Sequence, residues 1–279
     1  MRDALEVILL GIIEGITEFL PISSTGHLLL AEKWQGSQPE YFTVFIQSGA
    51  VLAVLAVFRD RVRELLQNWR QTEPGEAGDY LKKLCFSFVL TSIGGLTMKA
   101  LGWELPDETA PIAWALVIGG VMFIAFEMHQ RKKRETDSET IEAEEALQIT
   151  WTLAAAFAAA QLVAMAFPGA SRSGATILIG VLLGMSRRGA VEFSFLLGVP
   201  TLLAAGGYQL ASALNDDAAA VGANAGMLAL GTVVSAVTAF LAVRWLLGYL
   251  ERNTFMVFGW YRIAIGIAVL LLGGKAMAG

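Results

Sequence analysis

The chain has 279 residues, of which 55% are hydrophobic and only 16% are charged, and its mean hydropathy is +0.58. Soluble domains carry roughly 25% charged residues, so this composition excludes an ordinary soluble enzyme and indicates an integral membrane protein. The net charge of −5 says little about partners, because the charges lie in loops, and we expect no nucleic-acid partner. Cys85 is the only cysteine, which excludes a disulfide framework and a cysteine metal site.

The first half predicts a broken helix followed by three membrane spans, because a spanning helix needs roughly 20 apolar residues. Residues 3–20 and 23–35 form the broken helix, which is interrupted at Pro21. Proline lacks a backbone N–H and crowds the preceding turn, so it ends or bends the helix. Neither piece spans comfortably alone, and together they predict a re-entrant hairpin. The three spans are expected at 41–58, 81–100 and 111–128.

The second half repeats this order after an acidic, polar segment at 135–147, which we interpret as a cytoplasmic linker. An Ala-rich helix from residue 148 stops at Pro168, and a short helix at 174–185 completes a second hairpin. Three apolar segments follow, at 190–212, 225–247 and 255–274. The predicted organisation is therefore a first repeat at 1–134, the linker, and a second repeat at 148–279.

The expected fold is an all-α polytopic membrane protein with an inverted-topology repeat, six full transmembrane helices and two re-entrant helical hairpins. The segment Pro21-Ile-Ser-Ser-Thr-Gly26 parallels Pro168-Gly-Ala-Ser-Arg-Ser-Gly174 with one inserted residue. Three spans per repeat invert the second repeat relative to the first. The positive-inside rule agrees, because Lys and Arg concentrate in segments predicted to be cytoplasmic. Those segments are the predicted loops 59–83, 129–134 and 186–188 and the turn at Arg252. The predicted loops 102–110 and 213–224 contain no Lys or Arg and are expected to face outward.

The first hairpin places ionisable and hydroxyl side chains inside an apolar segment. Glu14 and Glu18 are four residues apart and share one helix face. Three residues with side-chain hydroxyls, Ser23, Ser24 and Thr25, follow Pro21, where a second helix begins. His27 lies three residues after Ser24, about one helical turn further on. Ionisable groups at membrane depth are costly and usually mark a functional site.

The second hairpin carries a phosphate-binding pattern. Arg172 is a planar, always charged fork suited to phosphate. The Gly-rich turn Pro168–Gly174 that contains it opens a helix, whose free N–H groups favour an anion. Ser171, Ser173 and Thr176 add hydroxyls. A nearby pair of carboxylates, Glu14 and Glu18, predicts an oxygen site for Mg²⁺ or Ca²⁺ that phosphate oxygens complete.

The segments Glu14–His27 and Pro168–Thr176 closely resemble the two signature motifs of the undecaprenyl-diphosphate phosphatases of the bacitracin-resistance type. The resemblance covers essentially the whole chain. It implies a bacterial inner-membrane enzyme that opens to the periplasm and hydrolyses undecaprenyl diphosphate to the monophosphate, recycling the lipid carrier of cell-wall synthesis. It also implies that bacitracin competes indirectly, by sequestering the substrate. One departure is Thr91-Ser92-Ile93-Gly94, where relatives usually carry a proline.

Resemblance and chemistry together suggest the roles. Ser24 is the candidate nucleophile, with His27 as base or as acid for the leaving group. Alternatively His27 attacks phosphorus itself, or it or a carboxylate activates water. Glu14 and Glu18 bind the metal or act as acid and base, and Arg172 clamps the developing charge. The expected substrate-binding residues are Ser23, Thr25, Ser171, Ser173 and Thr176.

Other interpretations remain open at this stage. The principal rival function is a polyprenyl-phosphate transporter or flippase, since inverted repeats with broken helices are common in transporters. A third is a non-catalytic lipid-binding scaffold. The glutamate pair could instead face interfacial water, Ser23 and Thr25 could be plain helix caps, and Arg262 could be either a packing or a site residue. Gly and Ala in the later spans permit close helix packing and hence a homodimer among membrane lipids.

Overall fold

The computed structural model describes residues 4–36, 39–103, 109–136 and 148–275, and every regular element within these ranges is an α-helix. The chain is all-α there, as predicted. The helices are α1 (Ala4–Thr17), α2 (Ser24–Gln35), α3 (Glu40–Val57), α4 (Arg59–Gln67), α5 (Ala77–Ala100), α6 (Thr109–Thr136), α7 (Trp151–Ala166), α8 (Arg172–Leu182), α9 (Arg187–Ala223), α10 (Ala225–Leu250) and α11 (Met256–Lys275).

Both predicted helix pairs are present, with α1 packed on α2 and α7 packed on α8, while their re-entrant topology stays a prediction. Helix α1 ends at Thr17, three residues earlier than expected, and the chain turns through Pro21 before α2 begins. The bounds expected for α8, 174–185, are wrong by two to three residues. The Ser171 hydroxyl accepts a hydrogen bond from the Gly174 N–H at 3.1 Å and so starts the helix at Arg172. Gly184, at φ +96°, follows the end of the helix.

Two segments predicted as loops are helical. Helix α4 follows α3 at a bend of 76°, because Leu65 packs into the core and Arg61 forms an ion pair with Glu192 at 3.1 Å. Helix α9 continues through the segment expected to be the loop 213–224. It is interrupted only at Asp217, where φ is −154° and ψ is 82°. The Asp217 carboxylate accepts a hydrogen bond from the Ala220 N–H at 2.9 Å, so this residue caps the last helical turns.

Four helices of the described ranges, α5, α6, α9 and α10, are long and apolar enough to cross a membrane, and the bent pair α3–α4 makes a fifth if it counts as one span. Helices α7 and α8 and the apolar part of α11 are shorter. The protein is therefore a multi-pass membrane protein, while the count of six spans stays a prediction. The predicted linker 135–147 begins as the last turn of α6, and its residues 137–147 lie outside the described residues, as do 104–108 of the predicted outer loop.

The packing brings the two hairpin tips together at the centre of the bundle. Helix α1 packs along α10 and α7 along α5, while α3 lies between α9 and α10, and α6 packs on α11. The largest cluster of buried apolar side chains contains residues of both hairpins, including Phe19 and Leu20 of the first and Ile177 of the second. Phe195 of α9 packs against Phe19 with ring centroids 4.8 Å apart. This cluster packs residues of both hairpins together.

Candidate active site

Glu18 joins the two hairpin tips. The Ser24 hydroxyl donates a hydrogen bond to Glu18 Oε2 at 2.8 Å, and Arg172 Nη2 donates to Glu18 Oε1 at 3.1 Å. Glu18 is only 8% exposed, so these charge-assisted bonds form away from bulk water. The carboxylate thus contacts the candidate nucleophile with one oxygen and the candidate phosphate clamp with the other.

Arg172 is held in place from three sides. Its guanidinium lies over the Phe19 ring at 5.2 Å, and Nη1 donates to the Ser194 carbonyl at 3.4 Å. Its third neighbour is the α9 backbone at Gly198, where an added Cβ would overlap Nη1 and come within 2.8 Å of Cζ. Only glycine leaves room for the guanidinium at this point.

A strained serine precedes each second helix of the hairpins. Ser23, at φ +73°, stands immediately before α2, and Ser171, at φ +67°, stands immediately before α8. Among the described residues they are the two non-glycine residues with positive φ. Such conformations cost of order 1–3 kcal/mol and persist at functional sites where the surroundings enforce them.

The remaining hydroxyls of the second motif bond protein groups. Ser173 is fully buried and its hydroxyl lies 3.1 Å from the Leu20 carbonyl of the first hairpin. Thr176, 1% exposed, contacts the Ser194 hydroxyl at 2.6 Å. These contacts fix the second hairpin to the first and to α9. Their predicted role as substrate ligands stays a prediction.

Arg262 is a second link between the tips and was not assigned to the site from sequence. Its side chain is fully buried, and it donates to the Pro21 carbonyl of the first tip at 3.3 Å. It also donates to the Gly169 and Ala170 carbonyls of the second tip at 3.1 and 3.0 Å, and to the Ala115 carbonyl at 3.3 Å. The only sequence signal was an always charged residue inside an apolar helix.

Glu14 lies behind Glu18, one turn earlier. It is fully buried, so the alternative in which the pair faces interfacial water is wrong. Among the described residues neither Glu14 carboxylate oxygen has a hydrogen-bond partner of good geometry, although the Glu18 and Gln47 side chains are polar neighbours. A buried carboxylate without partners is costly unless a cation or a proton compensates it. This donor set therefore suits a hard cation.

Both ring nitrogens of His27 contact groups other than the Ser24 hydroxyl. One ring nitrogen, Nδ1, lies 2.7 Å from the Ser23 carbonyl, so it carries the proton, and Nε2 lies 2.8 Å from the Tyr261 hydroxyl. The two rings stack with centroids 5.6 Å apart. The proposed partnership of His27 with Ser24 stays a prediction, while Glu18 takes the hydrogen bond from Ser24.

A cavity of about 250 Å³ lies between the tips and helices α3, α7 and α9. Six predicted site residues line it, whereas Glu14, His27, Ser173 and Thr176 do not. Gln47, Gln161 and Thr201 also line it and were not predicted as site residues. The six predicted residues are Glu18, Ser23, Ser24, Thr25, Ser171 and Arg172.

A sequence model of the family described as "Bacitracin resistance protein BacA" matches residues 7–268. The chain belongs to this family. Its relatives include proteins named undecaprenyl-diphosphatase from Rhizobium etli (strain CIAT 652), 46% identical over 97% of both chains, and from Rhizobium leguminosarum bv. trifolii (strain WSM2304), 44% identical over 99% of this chain and 100% of the relative. A third, from Xanthomonas axonopodis pv. citri (strain 306), is 42% identical over 97% of both chains. The family assignment made from the two motifs is confirmed.

Proposed function

We propose that this BacA-family chain hydrolyses undecaprenyl diphosphate to undecaprenyl phosphate and inorganic phosphate, and so recycles the lipid carrier of cell-wall synthesis. The observation that carries this proposal is the contact of Glu18 with both Ser24 and Arg172 inside one cavity. A hydroxyl bonded to a carboxylate beside an arginine suits transfer of a phosphoryl group. The identity of the substrate is inferred from the relatives, which are named undecaprenyl-diphosphatase.

In the proposed reaction, Ser24 Oγ attacks the terminal phosphorus as its proton passes to Glu18 Oε2, at 2.8 Å. The bond from that phosphorus to the bridging oxygen breaks, and undecaprenyl phosphate leaves. Water then cleaves the phosphoserine and releases inorganic phosphate. Arg172 stabilises charge on the equatorial oxygens throughout. The competing route, in which His27 or a carboxylate activates water directly, requires no Ser24.

A divalent cation, Mg²⁺ or Ca²⁺, fits the residues present, and we propose that Glu14 and Glu18 hold it. The described residues contain no group of three or more His, Cys, Asp or Glu side chains arranged to hold a metal, and the proposed set is the carboxylate pair Glu14 and Glu18, four residues apart in sequence. Mg²⁺ is commonly bound by one or two carboxylates together with substrate phosphates. When bound, the cation would neutralise diphosphate charge. The two unpartnered Glu14 oxygens support this assignment.

We further propose that residues 1–134 and 148–279 are inverted repeats with six spans, and that the hairpins enter from opposite faces of a bacterial inner membrane. The matched serines with positive φ, Ser23 and Ser171, support this. The equivalent packing of α1 on α10 and of α7 on α5 supports it too. The Lys and Arg distribution supports a site that opens to the periplasmic side. Bacitracin would then compete by sequestering substrate, and a homodimer is compatible with the Gly-containing and Ala-containing spans.

The rival function, transport of a polyprenyl phosphate, shares the broken helices. A transporter needs Arg172 for binding but has no use for a hydroxyl held against a carboxylate. Both that pair and the names of the relatives favour hydrolysis. Lipid transport that persists in Ser24→Ala, with hydrolysis abolished, would separate two functions.

The test is phosphate release from undecaprenyl diphosphate by the purified protein in detergent, with Mg²⁺, with Ca²⁺ and with chelator. Ser24→Ala and Arg172→Ala should each lower turnover by about 10³-fold or more. Ser92→Ala is the matched control, since the Ser92 hydroxyl only bonds the Phe88 carbonyl of its own helix at 2.8 Å. No release by folded wild-type protein under any condition would overturn the proposed function. Near-normal release by Ser24→Ala would move the mechanism to direct attack by water.

A further inference from the structure

Gln161 and Glu14 stand at corresponding sequence positions of the two hairpins, although Gln161 lines the cavity and Glu14 does not. Glu14 stands seven residues before Pro21, and Gln161 stands seven residues before Pro168. Both side chains are buried, with exposures of 0% and 1%. The replacement changes the chemistry, because a carboxylate only accepts hydrogen bonds from its surroundings whereas an amide also donates them. An acceptor suits a cation, and a donor suits an anion.

The amide of Gln161 is held in a defined orientation. Its Nε2 donates to Thr91 Oγ1 at 3.0 Å. Thr91 uses its own proton on the Ser87 carbonyl at 2.8 Å, so toward Gln161 it can only accept, and the nitrogen must face it. The Thr201 hydroxyl lies 3.4 Å from Oε1 on the other side. An oriented amide loses less entropy when it binds a ligand.

One N–H of this amide has no acceptor among the residues that the structure describes. Nε2 carries two hydrogens, and its one protein acceptor is Thr91. The side chain is a wall of the cavity that also contains Ser24 and Arg172. The second N–H is therefore a donor for whatever fills that cavity.

The cavity has room for the headgroup of a lipid diphosphate. Its lining includes Ser24 and Arg172 of the two tips, which the proposed function assigns to the terminal phosphate. The volume of about 250 Å³ is roughly eight times the share of one liquid water molecule, enough for more than one phosphate group. Gln161 lines the same cavity from α7, seven residues before Pro168 of the second tip. The apolar lining residues are Ala164, Met165, Leu202 and Ala205.

We propose that Gln161 donates its second amide N–H to the phosphate that stays on the lipid, the group that leaves as the polyprenyl monophosphate. Gln161 is then a substrate-binding residue that recognises the part of the headgroup retained in the lipid product, and Thr91 positions it. This inference rests on the proposed function. It predicts that the two products bind to different residues: inorganic phosphate at the tips, and lipid monophosphate against Gln161.

The test measures inhibition of wild type and Gln161→Leu by each product separately. Loss of one hydrogen bond to a charged group should raise the inhibition constant of the polyprenyl monophosphate about 10- to 100-fold, with kcat/KM falling in parallel. The inhibition constant of inorganic phosphate should stay at its wild-type value, which also shows that the tips remain folded. Gln161→Glu should weaken the binding of the lipid monophosphate further, because a carboxylate repels the phosphate.

Thr91→Val gives an independent check, since it leaves Gln161 intact but removes the acceptor that orients it. We expect a smaller rise in the same inhibition constant, again without a change for inorganic phosphate. Thr97→Val is the matched control, because exposed Thr97 on the same helix bonds only the Ile93 carbonyl of its own helix at 2.8 Å. Equal changes for both products, or no change for lipid monophosphate in Gln161→Leu, would overturn the inference. Inactivity of the wild type would instead overturn the proposed function itself.

Discussion

Replacing Gly198 by alanine tests whether the position of Arg172 controls catalysis. The added Cβ would stand 2.8 Å from Arg172 Cζ and 3.0 Å from Nη2, and would overlap Nη1, whereas ordinary van der Waals contact begins near 3.4 Å. The guanidinium must therefore retreat by about 0.6 Å at Cζ and by more than about 1 Å at Nη1. Its 3.1 Å bond to Glu18 then lengthens or breaks. A displacement of about 1 Å costs on the order of 10²-fold in rate.

The expected result is a fall of kcat by about 100-fold with little loss of stability, because alanine stabilises a helix interior by up to about 1 kcal/mol relative to glycine. The matched control is Gly207→Ala on the same helix, where an added Cβ meets no atom within 4 Å. Both variants gain the same helix propensity, so only the contact with Arg172 distinguishes them. Phosphate release and thermal unfolding in detergent would be measured on both. Wild-type turnover in Gly198→Ala would refute the placement of Arg172 at the reacting phosphate.

Three further predictions concern buried charges. Arg262→Met should destabilise the fold by about 3–5 kcal/mol and lower the melting temperature by roughly 10 °C, because four carbonyl groups lose their hydrogen-bond donor. Exposed Arg252→Met is the control. Equal melting temperatures of wild type and Arg262→Met would contradict the role of Arg262 in joining the two tips. Glu14→Gln should shift the activation curve for Mg²⁺ or Ca²⁺ to about tenfold higher concentration or more, and an unshifted curve would exclude Glu14 as a ligand. Glu127 forms an ion pair with Arg187 at 2.7 Å, and Glu127→Gln should weaken it and cost about 3–5 kcal/mol of stability, with kcat unchanged. A large fall of kcat at an unchanged melting temperature would show that Glu127 acts in the site.

Much of the fold was predictable because a helix that crosses the lipid bilayer needs a continuous apolar segment, which the sequence shows directly. Apolar length predicted where most helices lie, and Pro21 and Pro168 predicted both breaks. The same reasoning missed α4, because a short amphipathic helix stabilised by Leu65 and an ion pair to Glu192 looks polar when read alone. It also placed a loop at 213–224, where the helix continues around a single capping residue, Asp217.

The candidate active site was likewise predictable in part from the sequence. Residue types and spacing within each motif, such as the four-residue interval between Glu14 and Glu18, predicted which side chains carry chemistry. Their partners came only from the tertiary structure. Glu18 and Arg172 are 154 residues apart in sequence and 3.1 Å apart in space, and Ser24 bonds Glu18 while His27 bonds Tyr261. Sequence spacing specifies contacts within one helix turn, whereas contacts between distant segments depend on how the helices pack. For that reason Arg262 and Gln161, each alone in an apolar helix, became recognisable only when the two hairpins were seen to meet.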